Sequence, residues 1–129
     1  MLTADEIAKA KSVHAYPAGE EPNHEHDDCI RIAYQWLDAQ PKLSRTTRHS
    51  FVDLKGLIEH WGGRYVSRHD VEVAAALHPK IFGAYPYFNL GSKRVFPSFD
   101  RLANIPEANS QPDYRLGLDK DRDVYKTVE

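Results

Sequence analysis

Apolar side chains recur at helical spacing in the stretch 26–40 of this 129-residue chain. They fall on one half of a helical wheel, while polar side chains fill the other half, which predicts an amphipathic helix. Asp27 and Asp28 suit the positive N-terminal end of such a helix, and Pro41 marks its end. The apolar face consists of Cys29, Ile30, Ile32, Ala33, Trp36, Leu37 and Ala39.

Two capping signals predict further helices. Thr3 stands three residues before Glu6, and Ser67 stands three residues before Asp70. A hydroxyl followed at this spacing by a carboxylate satisfies the first backbone N–H groups of a helix. We therefore expect a short polar helix over 4–12 and a helix that begins after Ser67.

Ser50 is expected to cap another helix, which runs through Trp61 with its apolar face formed by every third or fourth residue. Gly62 and Gly63 end it, because glycine tolerates the left-handed conformation of a helix C-cap. Further along, the stretch 84–99 reads as two short aromatic strands joined at Gly91, Ser92 and Lys93.

This order of elements, from about Cys29 to Pro97, resembles the winged helix-turn-helix superfamily. The resemblance rests on residues of the motif's second helix and on the Gly-Ser-Lys-Arg tip of the wing, residues 91–94; the helix residues are Ser67, Val71, Ala74 and Leu77. It implies a mainly helical α+β fold with a three-helix core and a β-hairpin wing. We divide the chain into a polar N-terminal segment (1–25), a winged-helix-like domain (26–106) and a polar tail (107–129) that is mobile or lies along a partner.

The resemblance also implies DNA contacts. The third helix would enter a major groove, where Arg68 donates to guanine, Glu72 accepts from a cytosine amino group and His69 lies beside them. Contacts to the DNA backbone would come from basic side chains before the third helix and on the wing, namely Arg45, Arg48, Lys55, Arg64, Lys93 and Arg94. Unpaired bases could stack on Tyr85, Tyr87 and Phe88.

The charge pattern agrees with this reading. The net charge is only −2, but residues 1–40 carry eight acidic and three basic side chains, whereas residues 41–80 carry four acidic and seven basic ones. An acidic head beside a basic middle can place a positive face on a nearly neutral molecule.

Other constellations leave alternatives open. His60, His69, Asp70 and Glu72 could gather as the acid–base site of a small hydrolase or nuclease. His24, His26, Asp27 and Asp28, next to Cys29, are residue types that bind metals, although helix capping explains the aspartates more simply. Cys29 itself lies on an apolar face and is expected to be a buried hydrophobe. No cofactor-binding motif is present.

We therefore expect a non-catalytic DNA-binding protein, a regulator of transcription or an accessory factor, and from its small size alone we place it in a bacterial or mobile-element system. The alternative is a small interaction or inhibitor protein that binds another protein through its acidic head or the aromatic surface Tyr85 to Phe88. An exposed aromatic patch with dispersed basic residues would favour that alternative.

The chain has no apolar run of about 20 residues and no signal peptide at its start, so we expect a cytoplasmic protein without a membrane partner. A homodimer would match paired DNA half-sites.

Overall fold

The computed structural model describes residues 1–47 and 53–129, which form a small α+β domain. Five α-helices and one two-stranded parallel sheet occur in these residues. The elements are α1 (Ala4–Val13), α2 (Asp27–Asp38), α3 (Leu54–Gly62), α4 (Arg68–Leu77), β1 (Arg94–Phe96), α5 (Leu118–Asp121) and β2 (Tyr125–Val128), with 3-10 turns at Phe99–Leu102 and Pro112–Gly117.

Both predicted capping boxes are confirmed. The Thr3 hydroxyl accepts the Glu6 backbone N–H at 3.1 Å and the Glu6 carboxylate accepts the Thr3 N–H at 3.1 Å. Ser67 and Asp70 make the same reciprocal pair at the start of α4. These bonds satisfy backbone donors that have no partner inside the helix, which is why both helices begin at the predicted residues.

Helices α2 and α4 form the centre of the core and α1 packs beside α4. The predicted apolar face of α2 is buried, and Cys29 lies within it. Burial raises the pKa of the Cys29 thiol to about 12, so this side chain is an inert core residue, as expected.

Helix α3 begins at Leu54, with Asp53 as its cap: the Asp53 carboxylate accepts the Gly56 N–H at 3.0 Å. Ser50, the predicted cap, lies outside the described residues. At the other end Gly63 takes a φ of +63°, the left-handed conformation expected of a glycine C-cap.

The predicted β-hairpin over 84–99 is wrong in the described structure. Only its second half forms a strand, β1, and β1 pairs in parallel with β2 at the far end of the chain. The backbone around residues 89–91 bonds to residues 41–43 instead of to β1: the Asn89 carbonyl accepts the Leu43 N–H at 2.7 Å, and the Gly91 N–H donates to the Pro41 carbonyl at 2.8 Å. Pro86 has no N–H to donate to a strand ladder.

The tail from residue 107 lies along the body of the protein. The Tyr125 hydroxyl accepts the Trp36 indole N–H at 2.9 Å, and Asp121 hydrogen-bonds His60 at 2.6 Å. Arg101 forms an ion pair with Glu129. The tail, predicted to be mobile or to lie along a partner, thus has contacts inside its own chain.

Candidate functional site

Helix α4, the predicted DNA-recognition helix, is largely buried between α1 and α2. Only Arg68 and Ala76 among its residues are exposed, and the others are buried or half-buried. His69 is 6% exposed: its Nδ1 accepts the Asn23 N–H at 2.9 Å and its Nε2 hydrogen-bonds Glu20 at 2.8 Å. A helix that reads a major groove presents several side chains to base edges, and α4 offers few.

Two of the arginines that were expected to bind the DNA backbone are also buried. Arg64 is 6% exposed and forms ion pairs with Glu25 (2.9 Å) and Glu107 (3.1 Å). Arg94 is 7% exposed and donates to the Gly91 carbonyl, and its burial lowers the pKa of the guanidinium. Neither side chain is placed to reach a phosphate.

The remaining predicted cations differ in their surroundings. Lys55 is held by Glu59 at 2.9 Å and lies over the Tyr65 ring at 4.8 Å. Arg45 and Lys93 are exposed, and Arg48 lies outside the described residues. The predicted basic surface is therefore dispersed rather than gathered on one face with α4.

A groove between α4 and the loop 82–88, which we call the aromatic loop, brings together four of the predicted residues. Arg68 and Glu72 line it from α4, and Tyr85 and Phe88 line it from the loop. Its volume is about 430 Å³. The floor is apolar and is formed by Ala75, Ala76, Ile81 and Phe88.

The polar end of the groove is one connected network. Glu72 receives the Arg68 Nε–H at 2.7 Å and hydrogen-bonds His14 at 3.1 Å. The Arg68 guanidinium lies 5.4 Å from the centre of the Tyr85 ring, a cation–π distance. Arg68 is therefore held in place from two sides.

Beside the groove, three side chains form a hydrogen-bonded chain. The Tyr16 hydroxyl lies 2.6 Å from His24 Nε2, and His24 Nδ1 lies 2.7 Å from the buried Asp70 carboxylate. Burial raises the pKa of Tyr16, and the nearby charges of Asp70 and Glu72 raise it further. The two hydrogen bonds hold the segment 14–24 on α4.

The predicted acid–base set does not converge as a whole. His69, Asp70 and Glu72 share α4, but His60 hydrogen-bonds Asp121 and touches Gly117 on the tail. The metal-ligand types at the start of α2 are also separated by their partners: His26 caps the helix, Asp27 binds Lys11 and Asp28 binds Arg31. Within the described ranges no group of three or more metal-ligand side chains is arranged around a common point.

Three apolar residues of the aromatic loop and the segment beside it are exposed. Phe82, which also lines the groove, is 49% exposed, Tyr87 45% and Leu43 43%. Asn89 joins the two segments, because its side chain accepts the Phe82 N–H at 2.9 Å and donates to the Leu43 carbonyl at 3.0 Å. We call Leu43, Phe82 and Tyr87 the apolar patch.

Sequence reasoning missed Leu43, Phe82 and His14 as site residues. The only local signal was Gly83, between Phe82 and the Tyr-Pro-Tyr-Phe run. Its φ is +107°, and an added Cβ would lie 2.7 Å from both the Thr46 side chain and the Tyr87 carbonyl. This close approach brings the segment containing Leu43 against the aromatic loop.

No family model, curated protein or solved structure matches this chain. In residues 1–47 and 53–129 the helices are all too short or too polar to cross a bilayer.

Proposed function

We propose that this chain is a non-catalytic interaction protein that binds another protein through the apolar patch and the groove beside it. The observation that carries the proposal is the exposure of Leu43, Phe82 and Tyr87 on two segments that Asn89 joins, with Phe82 lining an apolar-floored groove. More than two fifths of the surface of each of these residues is exposed and can be buried by a partner. Aromatic residues are enriched at the cores of protein interfaces, because they bury a large area with few rotatable bonds.

The surroundings of the basic residues favour a protein partner over a DNA duplex. Duplex binding depends on cations that replace the counterions of several phosphates. Arg64 is neutralised by two carboxylates, Arg94 is buried, and Lys55 is paired with Glu59. An exposed aromatic patch with dispersed basic residues is the pattern that the interaction hypothesis requires.

The proposal is tested by capture from extracts of the cells that carry this gene, with the full chain as bait. We expect the double variant Phe82→Ser, Tyr87→Ser to lose a protein that the wild-type chain retains, because a buried aromatic anchor contributes on the order of 2 kcal/mol or more to binding. Leu116→Ser is the matched control, since Leu116 is 79% exposed on the tail, outside the patch.

Two results would contradict the proposal. One is capture that survives the double variant, and the other is capture that Leu116→Ser weakens to the same degree. Circular dichroism and thermal unfolding of each variant show whether a loss of binding comes from a loss of folding.

A second candidate is the DNA-binding function predicted from the sequence, in a form that uses unpaired bases. The arrangement of Arg68 over Tyr85, with Tyr87 exposed nearby, favours it, because bases stack on aromatic rings and on guanidinium planes. Such a protein would act as an accessory factor or regulator in a bacterial or mobile-element system.

A salt series with single-stranded and duplex DNA tests this candidate. We expect Arg68→Ala to weaken single-strand binding, and Lys93→Ala to report on the exposed loop that was predicted as the wing tip. Arg94 is left unchanged, because its buried position would confuse lost binding with lost folding. Absence of binding at low salt would remove the candidate.

A further inference from the structure

The guanidinium of Arg68 is held in one position although its side chain lies at the surface. Its side chain is 46% exposed, yet it is fixed by the 2.7 Å bond from Nε to Glu72 and by the Tyr85 ring. Within the described residues neither terminal nitrogen makes a hydrogen bond, and Nη1 forms only a long ion pair of 3.9 Å with the Glu20 carboxylate. The two terminal nitrogens form the end of the guanidinium that binds carboxylates in a bidentate manner.

The carboxylates near Arg68 already have other partners. Glu72 hydrogen-bonds His14 as well as Arg68, and Glu20 hydrogen-bonds the buried His69 at 2.8 Å. The terminal nitrogens of Arg68 therefore keep hydrogen-bonding capacity for a further acceptor.

An apolar surface continues directly from this charge. Ala75, Ala76, Ile81 and Phe88 form the groove floor, and Tyr85 lines the groove while its ring lies beneath the Arg68 guanidinium. A ligand that places a carboxylate on the Arg68 terminal nitrogens can therefore place a neighbouring apolar group on the floor. Apolar contact supplies affinity and the fixed guanidinium supplies orientation.

We infer that the groove recognises a partner segment in which a carboxylate side chain stands next to an apolar side chain, the carboxylate on Arg68 and the apolar group on the floor between α4 and the aromatic loop. This inference rests on the proposed function and names the chemistry of the partner. Glu72 acts as a positioning residue, because it orients the guanidinium without contacting the ligand.

Hydrocinnamate, a phenyl group joined by a short chain to a carboxylate, is a minimal probe of this chemistry. Titration into the isotopically labelled full chain, followed by NMR, is expected to give saturable shifts of backbone amides in 68–76 and 81–88. The neutral analogue hydrocinnamide has the same apolar group and is expected to bind at least about tenfold more weakly, because hydrogen bonds to a charged partner are the stronger ones.

Variants separate the charge from the groove. Arg68→Gln is expected to abolish the difference between the acid and the amide, whereas Arg122→Gln, at an arginine whose side chain is 79% exposed on the tail, is expected to leave it unchanged. Glu72→Gln retains an acceptor oxygen for Arg68 and is expected to weaken acid binding only a few-fold. The amide spectrum of each variant reports whether it is folded.

Equal binding of acid and amide, acid binding that Arg68→Gln leaves unchanged, or no shifts up to the solubility of the probe would each overturn the inference. These failures are distinct from failure of the proposed function. Capture that depends on Phe82 and Tyr87 without acid binding would retain the interaction function and reject the carboxylate. Selective acid binding without capture would retain the site and reject the protein partner.

Discussion

Two aromatic regions of this protein have different surroundings in the fold. In the first, the aromatic loop, Phe82 and Tyr87 are exposed. The second, which we call the C-terminal aromatic cluster, consists of Trp36, Trp61, Phe96, Phe99 and Tyr125; its two tryptophans are fully buried, and Phe99 at its edge is 43% exposed. In the cluster the rings of Phe96 and Tyr125 meet edge to face at 5.0 Å, and both indole N–H groups have acceptors.

The difference between the two regions comes from a covering segment. Strand β2 pairs with β1 and brings Tyr125, a member of the C-terminal aromatic cluster, against Phe96 and Trp36. In the described structure no segment of the chain lies over Phe82 and Tyr87 to the same extent. Aromatic content alone therefore does not separate a core from a binding face; the covering segment does.

The largest effect that separates the two regions is expected from truncation of a cluster member. Trp36→Ala should lower the free energy of unfolding by about 3–5 kcal/mol, because Trp36 is fully buried and its loss leaves a cavity. Phe82→Ala is the matched change in the aromatic loop and should cost within about 0.5 kcal/mol. Urea unfolding measures both. Similar losses for the two variants would show that the aromatic loop is a structural element rather than a free surface.

A smaller effect is expected from Tyr125→Phe, which tests how firmly the tail is joined to the core. The change removes the acceptor of the Trp36 N–H while keeping the ring, so it should cost about 1–2 kcal/mol. Urea unfolding again gives the value, and Tyr87→Phe, at an exposed tyrosine, is the control. A cost no greater than that of the control would mean that this bond contributes nothing to the attachment of the tail.

The smallest expected effect is on how the free energy of unfolding changes at acidic pH. The hydrogen bonds from Arg101 lower the pKa of the Glu129 carboxyl below its ordinary value of 4.5. A lowered folded-state pKa means stabilisation that is complete above 4.5 and is lost as the pH falls through the lower folded-state value. We expect Arg101→Gln to show a smaller drop in unfolding free energy than the wild type between neutral pH and pH values below 4.5. An identical drop in both proteins would exclude a contribution from this pair.

The sequence by itself determined the local structure of the helices. The capping pairs Thr3–Glu6 and Ser67–Asp70 act between residues three apart, so they hold whatever the rest of the chain does. The buried face of α2 was equally predictable, because its period belongs to the helix itself. The helical character of the fold therefore followed from short-range physics.

The tertiary structure alone decided the sheet and the site. Strand β1 pairs with β2 rather than with residues 85–90, a choice between distant segments that no local pattern records. Arg64 and Arg68 are the same residue type four positions apart, yet Arg64 lies buried between two carboxylates while the Arg68 side chain is 46% exposed beside Tyr85. Which side chains meet, and which stay exposed, depends on long-range packing, and that packing created both the groove and the apolar patch.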